Sequence, residues 1–274
     1  MPNDPAPSPV VDVRNLTRRY GTFTAVDAVS FTISEAEIFG VIGPNGAGKS
    51  TLVKMLATLL PATSGTALVA GFDLERQPAE VRRHIGYVPQ LLSADGSLTG
   101  YENLLLSARL YGIPRAERRP RIEQALARME LTESAGRLVG QYSGGMIRRL
   151  EIAQSLLHRP EVLFLDEPTV GLDPGARDAV WNHVLNLRDS YRTTMIVTSH
   201  HLEEIDEFCD RIALIDRGKL LTIGTPAEIK AKAGPDAHTL DDAFLRLIGR
   251  RTDAESAGGY ADAKRSRRAA REHG

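Results

Sequence analysis

The sequence predicts an α/β fold: a mostly parallel sheet flanked by helices, with an antiparallel β part at the N-terminal end and an inserted helical subdomain. Three observations predict it. After residue 160, short apolar strands alternate with helical patterns, which is how a parallel sheet buried on both faces reads. Between Val11 and Ser34 apolar and polar residues alternate, the mark of strands with one buried face. In the middle the apolar period lengthens to that of helices, over Tyr101–Tyr111, Arg115–Glu130 and Ser143–His158.

The elements follow in order. Residues 1–9 are rich in proline and lack a basic region followed by an apolar core, so they are expected to be a flexible arm and no signal peptide is visible. Val29, Phe31 and Ile33 share one strand face, and Ser30, Thr32 and Ser34 the other. Glu37–Ile42 reads as a further strand that ends in glycines, and Leu52, Met55, Leu56 and Leu59 then fall at helical spacing. The uncharged run Met55–Phe72 carries Pro61, Gly65 and Gly71, and does not read as the roughly 20 apolar residues of a membrane span. Residues 91–158 are expected to form the helical subdomain, punctuated by Pro114 and Gly140. The later alternation is Val162–Leu165, Ala176–Leu187, Thr194–Thr198, His201–Phe208 and Ile212–Ile215. Residues 10–225 thus form the main domain and 226–250 a helical segment, where Leu240, Phe244 and Leu247 suffice to explain burial. Residues 251–274, polar and basic, are expected to be disordered.

Bulk properties narrow the class. The chain has 274 residues, 42% hydrophobic and 25% charged, with a net charge of −1, so no whole-chain basic footprint for nucleic acid exists. One cysteine, Cys209, excludes an intrachain disulfide and fits a reducing compartment.

Gly43-Pro44-Asn45-Gly46-Ala47-Gly48-Lys49-Ser50-Thr51 matches G-x-x-x-x-G-K-[ST] in full, with a strand before it and a helix after. Glycines let backbone N–H groups turn inward around phosphates, and the helix start turns its positive end to the anion. Lys49 is placed to reach the β- and γ-phosphates and the Ser50 hydroxyl to bind Mg²⁺. The loop alone indicates a P-loop core and a nucleoside triphosphate, leaving kinases, GTPases and motors open. Val162–Leu165 ends in Asp166 and Glu167, at the strand tip where α/β sheets place ligand chemistry. Asp166 suits the Mg²⁺ role, and Glu167 suits positioning or deprotonating the attacking water. At the next strand tip a neutral imidazole could donate to the γ-phosphate, and from the residues alone His200 and His201 are equal candidates.

In this order the elements resemble the ATP-binding-cassette family over about residues 10–225. Tyr142-Ser143-Gly144-Gly145-Met146 resembles the family's signature segment, and Gln90 in Tyr87-Val88-Pro89-Gln90 its glutamine loop. Gly171-Leu172-Asp173-Pro174 is similar to the loop after the acidic strand, and Thr198-Ser199-His200 to the histidine switch, which selects His200. The resemblance implies ATP and Mg²⁺, with Tyr20 stacked on adenine, Val26 packed beneath, and Gln90 touching Mg²⁺ or its water. Ser143, Gly144 and Gly145 would meet the γ-phosphate held by a second copy, with Asp173 across the same interface, so a homodimer is implied. Tyr142 and Met146 stand where Leu and Gln are commonest. With Ile147-Arg148-Arg149-Leu150, Glu203-Glu204-Ile205-Asp206 and the segment Thr239–Arg250, they resemble the bacterial daunorubicin-resistance subfamily. That implies an ATP-hydrolysing subunit, peripheral on the cytoplasmic face of a bacterial membrane, driving a separate polytopic permease that exports a drug-like or other hydrophobic compound. A soluble cassette ATPase uncoupled from transport is the alternative. A nucleic-acid-associated structural ATPase would carry long coiled coils, and none is present.

Overall fold

The alternating N-terminal residues pair as a hairpin across Gly21. In the computed structural model, which describes residues 9–249, β1 (Val11–Tyr20) and β2 (Phe23–Ile33) run antiparallel with Val11 opposite Ile33 and Tyr20 opposite Phe23. After β3 (Ile38–Ile42) come the glycine loop and α1 (Lys49–Leu56). The chain returns through β4 (Ser64–Val69) and β5 (Phe72–Asp73), completing a four-stranded antiparallel sheet in the order β2-β1-β4-β5. Gly65 allows this return: its φ is +80°, and a Cβ there would stand 2.1 Å from the Asn15 carbonyl oxygen.

Helix α2 (Pro78–His84) and strand β6 (Ile85–Val88) lead into the helical subdomain of α3 (Gly100–Leu110), α4 (Arg115–Arg128) and α5 (Gly144–Leu156). A reciprocal cap between Thr99 and Glu102 starts α3. The chain then re-enters the sheet through β7 (Val162–Asp166), α6 (Pro174–Tyr191), β8 (Thr194–Thr198), α7 (Leu202–Phe208) and β9 (Arg211–Asp216). An edge strand β10 (Lys219–Gly224), α8 (Pro226–Ala233) and a helix over 240–249 finish the described chain. The six strands lie in the order β10-β9-β3-β8-β7-β6, parallel except for β10.

Strand alternation divides the buried residues between two cores. Phe39, Val41, Phe164, Ile196 and Ala213 face α1 and the antiparallel sheet. Ile38, Ile42, Leu163, Leu165, Met195 and Val197 face α5, α6 and the helical subdomain. The central sheet and the three subdomain helices match the expected fold. The 226–250 segment is two helices, because Gly234 at φ +118° ends α8; Leu240 and Ala243 are buried beyond the break. The expected arm is outside the described residues up to position 8, and Val10 is already buried. The expected tail, 251–274, lies outside the described residues. Among the described residues no helix is long and apolar enough to cross a membrane.

Candidate functional site

The loop after β3 is seated by its glycines. Gly46 and Gly48 have φ of +79° and +106°. A Cβ on Gly43 would lie 2.1 Å from the Ile215 carbonyl oxygen, and one on Gly48 would lie 2.2 Å from that of Ala25. Asn45 and Gly46 are exposed, and Ala47 is buried with its carbonyl accepting from the Gly218 amide at 2.8 Å. Gly48 opens α1 without a side-chain cap, so first-turn N–H groups remain available to an anion. Ser50 and Thr51 follow in the first turn, both half-buried. Lys49 is buried and folds back to donate to the carbonyls of Gly43 at 2.8 Å and Pro44 at 3.3 Å. Burial holds its ammonium below the usual lysine range, opposed by the charges of Glu167 and Asp166.

The acidic strand end comes to the same place because β7 lies beside β8 in the sheet. Asp166 Oδ1 accepts from the Ser50 hydroxyl at 3.1 Å and from the Thr198 hydroxyl at 2.6 Å. Burial, and then the charge and hydrogen bonding of Asp166, push the Tyr87 phenol up to about 12. Glu167 stands in the left-handed region at φ +53°, its amide donating to the Thr198 hydroxyl at 2.9 Å and carbonyl at 3.1 Å. This aims its carboxylate at His200, whose Nδ1 lies 2.7 Å from Oε2. The His201 ring lies tilted beside that of His200, 4.3 Å between centroids, and its amide donates to the Ser199 hydroxyl. The geometry thus joins Lys49, Ser50, Asp166, Glu167 and His200 around one loop.

The remaining expected residues lie around that centre. Gln90 is exposed just past β6, and its carbonyl accepts from Arg148 at 2.8 Å. Ser143 caps α5 by accepting from the Met146 amide at 3.3 Å, and Asp173 caps α6 by accepting from the Ala176 amide at 3.0 Å. Both caps and Gly144 are exposed, while Gly145 is buried where the two helices meet: a Cβ there would lie 2.9 Å from that of Ala176. Tyr20 is 44% exposed at the hairpin end, with the Arg18 guanidinium 4.6 Å over its ring and Phe23 opposite, 61% exposed. Val26 is 1% exposed within the core, which leaves its side chain almost no surface for a base. Sequence reasoning missed Tyr87, Thr198 as a hydroxyl donor, and the buried pair Arg148 and Glu151. In sequence the pair does not stand out, because Arg148, Arg149 and Glu151 read together as charges on a solvated helix face.

The family model described as ABC transporter matches residues 26–170. The probable multidrug ABC transporter ATP-binding protein YbhF of Escherichia coli (strain K12) is 40% identical over 242 residues, 87% of this chain and 42% of that protein. The chain therefore spans less than half the length of that relative. The daunorubicin/doxorubicin resistance ATP-binding protein DrrA of Streptomyces peucetius is 43% identical over 228 residues, covering 83% of this chain and 69% of DrrA. Among solved structures, the dimeric ATP-binding cassette MJ0796 in a post-hydrolysis state bound to ADP and Pi superposes with a TM-score of 0.70. It is 26% identical and covers 78% of this chain and 98% of its own.

Proposed function

The chain belongs to the ABC transporter family as an ATP-binding, ATP-hydrolysing subunit, and from that premise we propose how it is used. Two copies close around two ATP molecules, the exposed Ser143 and Gly144 of each copy, with Gly145 behind them, meeting the γ-phosphate seated on the other's Gly43–Thr51 loop. Asp173 faces the same interface, and Tyr20 stacks on the base. The observation that carries this reading is the division of the site. Lys49, Asp166, Glu167 and His200 converge on one loop, while the capped start of α5 offers a hydroxyl and free N–H groups to solvent.

Glu167, aimed by its left-handed backbone and its contact with His200, orients a water for in-line attack and takes its proton. Lys49 leaves its carbonyl partners to meet the β- and γ-phosphates, whose negative charge offsets the desolvation of the ammonium. The paired oxygens of Ser50 and Asp166 beside the loop suit a hard cation, and these two with Gln90 would hold Mg²⁺. When bound, Mg²⁺ neutralises charge that develops on the phosphate oxygens.

The work is done on a separate polytopic permease, with this subunit peripheral on the cytoplasmic face of a bacterial membrane and no nucleic-acid partner. Beside Gln90, Leu91 is 81% exposed, and on α3 Leu106 is 46% and Leu110 79% exposed, an apolar surface suited to a partner. The relatives' names, multidrug ABC transporter and daunorubicin/doxorubicin resistance protein, favour export of a hydrophobic compound. The test is a pull-down of the tagged Glu167→Gln chain with ATP from detergent-solubilised native membranes. A co-purifying polytopic membrane protein is expected. Recovery of soluble partners alone, with the chain absent from washed membranes, returns the reading to a soluble ATPase uncoupled from transport.

A further inference from the structure

Helix α5 carries Ser143, Gly144 and Gly145 at its start and, one turn on, a buried ion pair that hydrolysis does not use. Arg148 is 1% and Glu151 3% exposed, and they meet at 3.0 Å. The Arg148 guanidinium also donates to the carbonyls of Pro89 at 2.6 Å and Gln90 at 2.8 Å. The other oxygen of Glu151 accepts from the amides of Ser93 and Ala94 and from the Ser93 hydroxyl. One helix thus grips the backbone of the next segment at positions 89 and 90 and again at 93 and 94. Between the two grips stand Leu91 and Leu92, 81% and 50% exposed. Leucines stay in water here because the backbone on either side is held by charge-assisted bonds. The arrangement needs arginine's planar fork, since two carbonyls and a carboxylate are reached at once.

A buried pair of this kind is weak evidence for stability, because apolar residues of the same volume commonly serve as well or better. Its geometric effect is specific: contacts to backbone make segment 89–94 follow any movement of α5. We propose that Arg148 and Glu151 are positioning residues that lock segment 89–94 to α5, so that ATP engaged by Ser143–Gly145 resets Gln90 and the Leu91–Leu92 prong together. The proposal deepens the reading above and rests on Ser143–Gly145 as nucleotide contacts.

The test uses the full chain with Glu167→Gln and Leu91→Cys, the new thiol carrying an environment-sensitive fluorophore. Cys209 is buried and its thiol is pushed up by burial, so labelling goes to position 91. Adding MgATP is expected to shift the emission. In Arg148→Met/Glu151→Leu, ATP binding by equilibrium dialysis and the urea midpoint should stay near the parent's, while the shift falls about five-fold or more. A folded double variant with the full shift overturns the proposal, as does a parent that binds ATP without any shift. Should the double variant fail to fold, Arg148→Lys decides: it keeps the charge but not the fork, and a reduced shift supports the lock while a full one refutes it. Failure of the parent to bind ATP would instead refute the underlying functional reading, and this proposal with it.

Discussion

Glu204 on α7 offers a stability prediction that can be worked from its contacts. Its Oε2 accepts from the Thr169 hydroxyl at 2.7 Å and from the Trp181 indole N–H at 3.0 Å. Both donors are buried, Thr169 at 0% and Trp181 at 2% exposure. Among the described residues Oε1 has no hydrogen-bond donor, only Arg177 at 3.8 Å, a half-exposed partner whose contribution is small. In Glu204→Ala two buried donors lose their acceptor, each costing about 1–3 kcal/mol. Relief from burying an incompletely paired carboxylate offsets part of this, leaving a net loss of about 2–4 kcal/mol. Glu204→Gln keeps a carbonyl for both donors and should cost no more than about 1 kcal/mol. Trp181 is the chain's one tryptophan and stacks on Phe208 at 4.6 Å, so urea unfolding followed by its fluorescence reads this site directly. An Ala variant within about 0.5 kcal/mol of the parent would refute the reasoning, because it would mean that the two donors find other acceptors at little cost.

Three more outcomes follow from the same contacts. Thr198→Val removes the hydroxyl that joins Asp166 to the Glu167 amide; kcat for ATP should fall about ten- to a hundred-fold with nucleotide affinity little changed, and an unaltered kcat contradicts the role. Gly145→Ala brings a methyl within 2.9 Å of the Ala176 Cβ, forcing α5 from α6; the urea midpoint should drop by the equivalent of about 1–3 kcal/mol. Burial, foremost, holds the His158 and His183 imidazoles below their ordinary 6.5. The unfolded chain therefore takes up those protons first, and stability should fall as pH drops below 6.5 towards the folded-state values. Replacing both by Gln should flatten that part of the pH profile, and an unchanged slope counts against the assignment.

Much of this architecture was legible because its signals are local. The loop Gly43–Thr51 and the apolar strand ending at Asp166 are contiguous in sequence, and β7 and β8 are buried along their whole length. Elements with little buried surface were not legible. Strand β4 opens with three exposed residues, Ser64, Gly65 and Thr66, and buries only Ala67 and Val69. Helix α2 buries only Val81, and β10 is an edge strand buried only at Gly224. Strand β4 takes its position from pairing with the distant β1, which no local period encodes, whereas β10 pairs with its chain neighbour β9 across Arg217 and Gly218. The same holds in the site. Arg148 and Glu151 look like charges on a solvated helix face until segment 89–94 folds over them. Val26 sits near the expected base in the chain, yet strand alternation turns it into the core.

The proposal that two copies share each ATP site is tested most directly by the concentration dependence of hydrolysis. If two copies complete each site, specific ATPase activity rises with protein concentration to a plateau, and Ser143→Arg, with a bulky side chain at the exposed cap of α5, abolishes it while the single chain still binds ATP. A constant specific activity across the same range, with Ser143→Arg as active as the parent, would contradict the account and place the whole reaction within one chain.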